Sequence, residues 1–356
     1  MIRPFAARWP VQGAGPGRLP FGMIVHRDLS GPGLRKQPVH DLPGVLEPLI
    51  LTVTLNTALD LTYTVPALVP HATHRVTDVV ERPGGKGVNV ARVLAALGHE
   101  TVVTGFAGGP TGEVLRGLLA PLPVRDALVP SAGATRRTVA VVDSASGDTT
   151  QLNEPGPVIT PAEWAAFLSV YAELLDGARA VALCGSLPRG VHVGAYAELV
   201  RRARAAGVPV LLDTSGEPLR RGIAARPDLV KPNADELAAL TGAREPLRAT
   251  RDARRRGAHA VVASLGAEGL LAVTPDGTWQ AAPPARVAGN PTGAGDSAVA
   301  GLLSALVEGA PWPERLARAT ALATATVHAR AAGEFDADRY GELLERVSVR
   351  ELATAA

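Results

Sequence analysis

From Leu49 onward, short apolar runs alternate with stretches whose apolar residues recur every three or four positions. Residues 50–55 read as a strand, and over 89–97 the side chains of Val90, Val93, Leu94 and Leu97 share one helical face that stops at Gly98. A strand at 101–106 and a helix at 112–119 follow, then a helix at 164–175, a strand at 180–184, a helix at 194–206 closed by Gly207, and a buried strand at 208–212. Segments 229–231, 235–240, 260–264 and 269–273 continue the alternation, and three helical stretches at about 294–308, 314–331 and 336–347 close it. The pattern predicts an α/β fold: a doubly wound, mostly parallel sheet flanked by helices on both faces. Two stretches, 61–80 and 135–153, show strand alternation with no helix between, and Ser146-Gly147-Asp148 supplies a hairpin turn. They predict a small separate β-sheet, inserted where it would cover the C-terminal edge of the main sheet as a lid.

Residues 1–48 break the pattern. They hold 8 Pro and 7 Gly, show no hydrophobic period and carry a net charge of +3, so they read as a disordered extension or a start-site artefact. They lack the apolar stretch of a secretory signal. The domain is expected over 49–348, with 349–356 as a C-terminal tail.

Composition narrows the classes. With 46% hydrophobic and 20% charged residues among 356, the chain can bury a large core. No apolar run approaches the ~20 residues of a membrane helix, so no membrane association is expected. The single Cys184 forms no internal disulfide and fits a reducing, cytoplasmic setting. A net charge of +2, with Arg interleaved among acids, gives no case for nucleic acid, and the histidines show no metal-ligand spacing. Of 36 basic residues only Lys36, Lys86 and Lys231 are lysines. A chain that otherwise uses Arg keeps Lys where a compact ammonium matters.

The most informative segment is Asn290-Pro291-Thr292-Gly293-Ala294-Gly295-Asp296-Ser297, ahead of an apolar helix. Gly293, Ala294 and Gly295 turn the backbone at a helix start, where free N–H groups favour an anion. A carboxylate there, Asp296, suits a base that removes a proton from an attacking hydroxyl; a plain N-cap is the alternative. Pro83-Gly84-Gly85-Lys86-Gly87-Val88-Asn89 also opens a helix but lacks the spacing and the Ser/Thr of a phosphate-binding P-loop. Its N–H groups, the Lys86 ammonium and the Asn89 amide suit a polyhydroxylated anion, or else Lys86 is a solvated turn residue. Asp60 ends Asn56-Thr57-Ala58-Leu59-Asp60, where it could accept from a sugar diol. In Lys231-Pro232-Asn233-Ala234-Asp235-Glu236, Asn233 and Glu236 could form a cap and also face magnesium-bound water. Ser264-Leu265-Gly266-Ala267-Glu268-Gly269 leaves room for a nucleotide or is a simple glycine hairpin.

The order of these motifs is more specific than any one of them. Gly84-Gly85-Lys86-Gly87-Val88-Asn89-Val90-Ala91-Arg92, then Cys184-Gly185-Ser186-Leu187-Pro188, then Lys231-Pro232-Asn233-Ala234-Asp235-Glu236-Leu237, then Thr292-Gly293-Ala294-Gly295-Asp296 resemble the ribokinase (PfkB) family of carbohydrate kinases. The resemblance spans about 49–345. Thr52-Val53-Thr54-Leu55-Asn56 with Asp60, Thr135-Arg136 and Asn153-Glu154-Pro155-Gly156-Pro157 resemble its phosphosugar branch, although Thr57 stands where that branch usually has Pro. The resemblance implies a ribokinase-like fold and ATP-dependent phosphorylation of a phosphorylated ketohexose, fructose 1-phosphate to fructose 1,6-bisphosphate first. Tagatose 6-phosphate or fructose 6-phosphate come next, then an unphosphorylated sugar or nucleoside, then a non-catalytic sugar-phosphate sensor. It implies Asp296 as base with the N–H groups of Gly293, Ala294 and Gly295 around the transferring phosphoryl group. Asp60, Gly85, Asn89 and Ser186 would hold the sugar, and Lys86 and Arg136 its phosphate. Lys231, Ser264, Gly266 and Gly269 would serve ATP, and Asn233 and Glu236 would reach Mg2+ through water. It also implies a homodimer through the lid sheets.

Overall fold

The computed structural model describes residues 49–353 apart from 288, 290 and 330. The extension expected over 1–48, with Lys36, and Asn290 lie outside the described residues. The chain runs through β1 (Leu49–Thr54), β2 (Ala58–Val65), β3 (Asp78–Gly84), α1 (Lys86–Ala96), β4 (Thr101–Ala107), α2 (Gly109–Leu119), β5 (Arg125–Asp126) and β6 (Val129–Pro130). It continues through β7 (Arg136–Asp143), β8 (Thr149–Asn153), α3 (Pro161–Leu175), β9 (Ala178–Cys184), α4 (Ala195–Ala205), β10 (Val210–Asp213), α5 (Gly216–Ala224), β11 (Leu229–Val230), α6 (Ala234–Thr241), α7 (Pro246–Arg255) and β12 (Ala260–Ser264). Then come β13 (Leu270–Val273), β14 (Thr278–Ala282), α8 (Ala294–Val307), α9 (Trp312–Thr326), α10 (Ala337–Leu344) and β15 (Ser348–Glu351).

Strands of one sheet lie in the order β15-β14-β13-β12-β11-β10-β9-β1-β4-β5, with β6 also on β4. From β5 to β12 every pairing is parallel; β12 to β15 pair antiparallel. The central strands are apolar on both faces because helices cover both: β1, β4 and β10 are buried throughout. The helix α8 is apolar nearly all round, and ten of its residues are buried between the sheet, α1 and α9.

The expected tail is corrected at its start: Ser348–Glu351 forms the edge strand β15 on β14. With Val349 as its one apolar residue among Ser348, Arg350 and Glu351, it is too short and polar to show a period, and such charge suits an exposed edge.

The two stretches without a helix build a separate four-stranded sheet in the order β3-β2-β7-β8. The first is two strands, β2 and β3, with a loop at 66–77 between them that carries His71 and His74. In register, Asp60 lies opposite Arg82 on one side and Thr138 on the other, so these three share a face. The opposite face carries Tyr63, Val79, Val139 and Leu152 at the alternate positions.

Candidate active site

β4 and β9 flank β1 on opposite sides, so the strand order reverses at β1 and a crevice opens at the strands' C-terminal ends. A cavity of about 680 Å3 occupies it, walled by Thr54 and Asn56 after β1, Gly185 and Ser186 after β9, Asp213 of β10, and Lys231 after β11. The small sheet adds Asp60, Arg136 and Thr138, and the starts of α1 and α8 add Lys86, Asn89, Gly293, Gly295 and Asp296.

Asp296 sits in the first turn of α8 and is buried. Its Oδ2 accepts from Asn89 Nδ2 at 2.9 Å, which ties the start of α8 to the first turn of α1. Gly293 caps α8 with φ 85, a left-handed conformation, and a Cβ there would stand 2.7 Å from Ala332 Cα, so no other residue fits. Gly85 caps α1 in the same way, with φ 101 and a would-be Cβ 2.6 Å from the Thr54 methyl. Neither cap uses a side chain, and both cap glycines line the crevice, while Ala294 N donates to the Pro291 carbonyl at 3.1 Å. Burial pushes the Asp296 carboxyl up to about 6, with Asp213 adding to the rise and Lys86, Asn89 and Lys231 opposing it.

Between these helix starts lies Asp213, a residue no sequence motif singled out. It is buried at the end of β10; its Oδ1 is 3.3 Å from Lys86 Nζ and its Oδ2 3.7 Å from Lys231 Nζ. The two lysines among the described residues thus share one carboxylate. Burial alone would weaken the Lys86 ammonium, but Asp213, Asp296 and Glu236 outweigh it and hold it above its ordinary range. Only the convergence of β10 and β11 with the α1 loop reveals Asp213, because an Asp ending an apolar strand carries no signal of its own.

On the other wall, Asp60 lies within reach of Arg136. Burial raises its carboxyl to about 6 against the pull of Arg136, Thr138 and Arg92. A Cβ on Gly84 would collide with the Asp60 carboxyl, so the small residue makes room for it. Arg136 donates to the Asn56 carbonyl at 3.3 Å and to the Thr138 hydroxyl at 3.2 Å. Lys86 and Arg136, expected together, stand among different carboxylates: Lys86 beside Asp213, Asp296 and Glu236, and Arg136 beside Asp60 and Glu154. Asn56 Nδ2 donates to Ser186 Oγ at 3.1 Å, and Thr57, in place of the usual Pro, is buried with its hydroxyl donating to the Phe106 carbonyl. Four buried polar atoms of this one cavity make no hydrogen bond within the protein: Thr54 Oγ1, Asn56 Oδ1, Asn89 Oδ1 and Asp213 Oδ2. Three of them are covered by glycine backbone: Thr54 Oγ1 by Gly87, Asn56 Oδ1 by Gly156 and Asn89 Oδ1 by Gly333.

A second cavity of about 730 Å3 lies on the far side of the α8 start, and the two share Asn233, Ser264 and Gly295. Ser264, Gly266 and Gly269 line it beside apolar Leu270, Ala298, Ala323 and Val327. Asn233 and Glu236 form the capping box of α6: Asn233 Oδ1 accepts from Glu236 N at 2.8 Å, and Glu236 Oε2 accepts from Asn233 N at 2.9 Å. Every site residue expected from the sequence thus lines one cavity or the other. Among the described residues no three acidic, His or Cys side chains gather as a metal cluster, and no helix is long and apolar enough to cross a membrane.

A crevice with a carboxylate-bearing helix start between a polar cavity and a partly apolar one fits a phosphotransferase, and the model of the pfkB family carbohydrate kinases matches residues 52–338. The chain belongs to that family. It is 43% identical over 278 residues to 1-phosphofructokinase of Rhodobacter capsulatus, covering 76% of this chain and 88% of the relative. Phosphofructokinase-2 of Escherichia coli, solved in complex with fructose-6-phosphate, is 32% identical with a TM-score of 0.76, over 84% of this chain and 99% of that one. The possible 1-phosphofructokinase of Thermotoga maritima is 27% identical with a TM-score of 0.78, over 86% and 100%.

Proposed function

We propose that the protein transfers the γ-phosphoryl group of ATP to a hydroxyl of a phosphorylated ketohexose, fructose 1-phosphate foremost, giving fructose 1,6-bisphosphate and ADP. The observation that carries this reading is the buried Asp296, held by Asn89 and next to Gly295, which lines both cavities. The 1-phosphofructokinase relative supports the choice of sugar.

The roles follow from position. Asp60, Gly85, Asn89 and Ser186 orient the sugar. Arg136 meets the phosphate already on the sugar. Asp296 takes the acceptor hydroxyl's proton as its oxygen bonds to the γ-phosphorus and the bridging P–O bond of ATP breaks. The N–H groups of Gly293 and Gly295 stabilise the charge on the moving group, and Ala294 N–H joins them once it leaves the Pro291 carbonyl. Lys86 stands beside Asp213 and Asp296, so it serves that group rather than the sugar's own phosphate, and Lys231 supports it from beneath Gly295. Ser264, Gly266 and Gly269 border the nucleotide.

The donor set fits Mg2+ held through water. Asn233 Oδ1 and Glu236 Oε2 are engaged in the helix cap, which leaves Glu236 Oε1 to accept from a metal-bound water. The ion, arriving with ATP, would neutralise charge between its phosphates. The outward face of the small sheet, with Val79 and Leu152 more than half exposed, fits a homodimer formed through that sheet. A cytoplasmic setting accords with a cytosolic sugar phosphate and ATP.

An ADP-release assay across fructose 1-phosphate, fructose 6-phosphate, tagatose 6-phosphate and free fructose tests the reading. Highest kcat/KM on fructose 1-phosphate supports it; preference for free fructose overturns the phosphosugar assignment, and no ADP release with any sugar overturns the kinase.

A further inference from the structure

The segment 331–334, between α9 and α10, lies where the small sheet, α1 and the start of α8 meet. Glu334 Oε1 accepts from Arg92 Nη2 at 2.9 Å and also from Arg82 Nη1, so one oxygen joins β3 of the small sheet to α1. Arg92 Nη1 donates to the Ala332 carbonyl at 3.0 Å. Around this knot the backbone presses on the reacting groups. Ala332 packs on Gly293, and a Cβ on Gly333 would stand 3.1 Å from Asn89 Oδ1 and 2.8 Å from Arg92 Nη1. Asn89 is the side chain that holds Asp296. Arg82 stands directly across the β2–β3 pair from Asp60 and borders a small annex of the acceptor cavity.

The charges explain why a carboxylate is needed there. The side chains of Arg82 and Arg92 are 24% and 11% exposed, so their mutual repulsion is weakly screened. Glu334 pairs with both and offsets one of the two positive charges. Asp60 lies opposite Arg82 in the β2–β3 register and already draws on Arg92 and Arg136. A guanidinium closing on Asp60 would occupy the lone pairs meant for the sugar.

We infer that Glu334 is a positioning residue for phosphoryl transfer: it ties the small sheet to α1 over the acceptor cavity and keeps Arg82 and Arg92 off Asp60. The inference rests on the kinase reading above. It assigns a role to a residue outside every motif, in a segment that contributes only Ala332 to the wall of the acceptor cavity.

The test uses the full chain with Glu334→Ala, Glu334→Gln, Arg82→Ala and the Arg82→Ala/Glu334→Ala double variant, measuring initial rates with fructose 1-phosphate and ATP varied in turn. Glu334→Ala is expected to raise KM for the phosphosugar about tenfold and lower kcat severalfold, while KM for ATP stays within about twofold. Glu334→Gln keeps the shape, loses the charge and gives the same split, which covers the case of an Ala variant that fails to fold. The double variant should lose no more than the worse single variant, because the pair acts as a unit. Phosphosugar KM within about twofold of the parent in both Glu334 variants, or an equal rise in both KM values, overturns the inference. Full additivity in the double variant overturns it as well. A parent chain that phosphorylates none of the sugars overturns the kinase reading and this inference with it; an active parent with unaltered variants overturns the inference alone.

Discussion

Replacing Asp296 by Asn should make the protein more stable at neutral and alkaline pH while removing its turnover. Burial raises this carboxyl from 3.8 to about 6, a displacement that corresponds to about 3 kcal/mol against the ionised form. Between those two values the folded chain binds more protons than the unfolded one, so stability falls as pH rises through the window. The cost is complete above about pH 6 and absent below about pH 3.8, where the group is protonated in both states. Asn has the size of the protonated acid and can still accept from Asn89, so the variant escapes the cost. Calorimetric unfolding at about pH 8 should show a gain of up to about 3 kcal/mol, or on the order of 5 °C, that shrinks to nothing near pH 3.5. Asp60 titrates over the same range but is common to both proteins and cancels. The same variant should lose about a thousandfold in kcat, since general-base assistance is worth about 10²–10⁴. In the parent enzyme, kcat/KM should fall on the acid side of about pH 6 as the base is protonated. A variant that is less stable at about pH 8, or that keeps about one tenth of the turnover, would refute the burial argument or the base assignment respectively.

Three further substitutions separate neighbouring roles. Asp213→Asn should act with the opposite sign to Asp296→Asn, because it strands Lys86 and the buried Lys231 without their shared carboxylate; a loss of about 3 kcal/mol in chemical unfolding is expected, and unchanged stability would show that the lysines do not depend on it. Lys86→Arg keeps the charge but adds a planar, bulkier head beside Asp213, and should lower kcat at least about tenfold with an unaltered circular dichroism spectrum; parental turnover would mean that any cation serves. Leu152→Glu puts a charge on the exposed face of the small sheet and should shift sedimentation from dimer toward monomer; a parent that sediments as a monomer, or a variant with unchanged assembly, rules out that face as the interface.

The parts of the fold readable in the sequence were those whose burial is local. β1, β4 and β10 are apolar on both faces, and the helices α1 and α8 follow glycine caps that stand in the sequence as plain punctuation. The features that escaped are those whose meaning is set elsewhere in the chain. The helix α5 begins with Gly216-Glu217-Pro218, which reads as a loop until Leu219 and Ile223 are seen to pack into the core. Among the described residues the antiparallel strands β14 and β15 pair only with each other and β13, and stretches of five and four residues are too short to carry a period of their own.

The lysines show the same division inside the site. Their rarity is a property of the sequence and marked Lys86 and Lys231 before any geometry was known. Which anions they face is not, because it depends on a residue in neither motif. Asp213 ends a strand that lies between β9 and β11, so it is carried to a point where the α1 start and the end of β11 both reach it. In the function proposed above, that placement assigns Lys86 to the phosphoryl group in transit and leaves Arg136, beside Asp60, for the phosphate of the acceptor. The preference for Lys over Arg follows from the same crowding. A guanidinium needs a planar slot with acceptors on several sides, whereas the ammoniums here stand 3.3 and 3.7 Å from one carboxylate, beside helix starts that the proposed reaction keeps open to a phosphate.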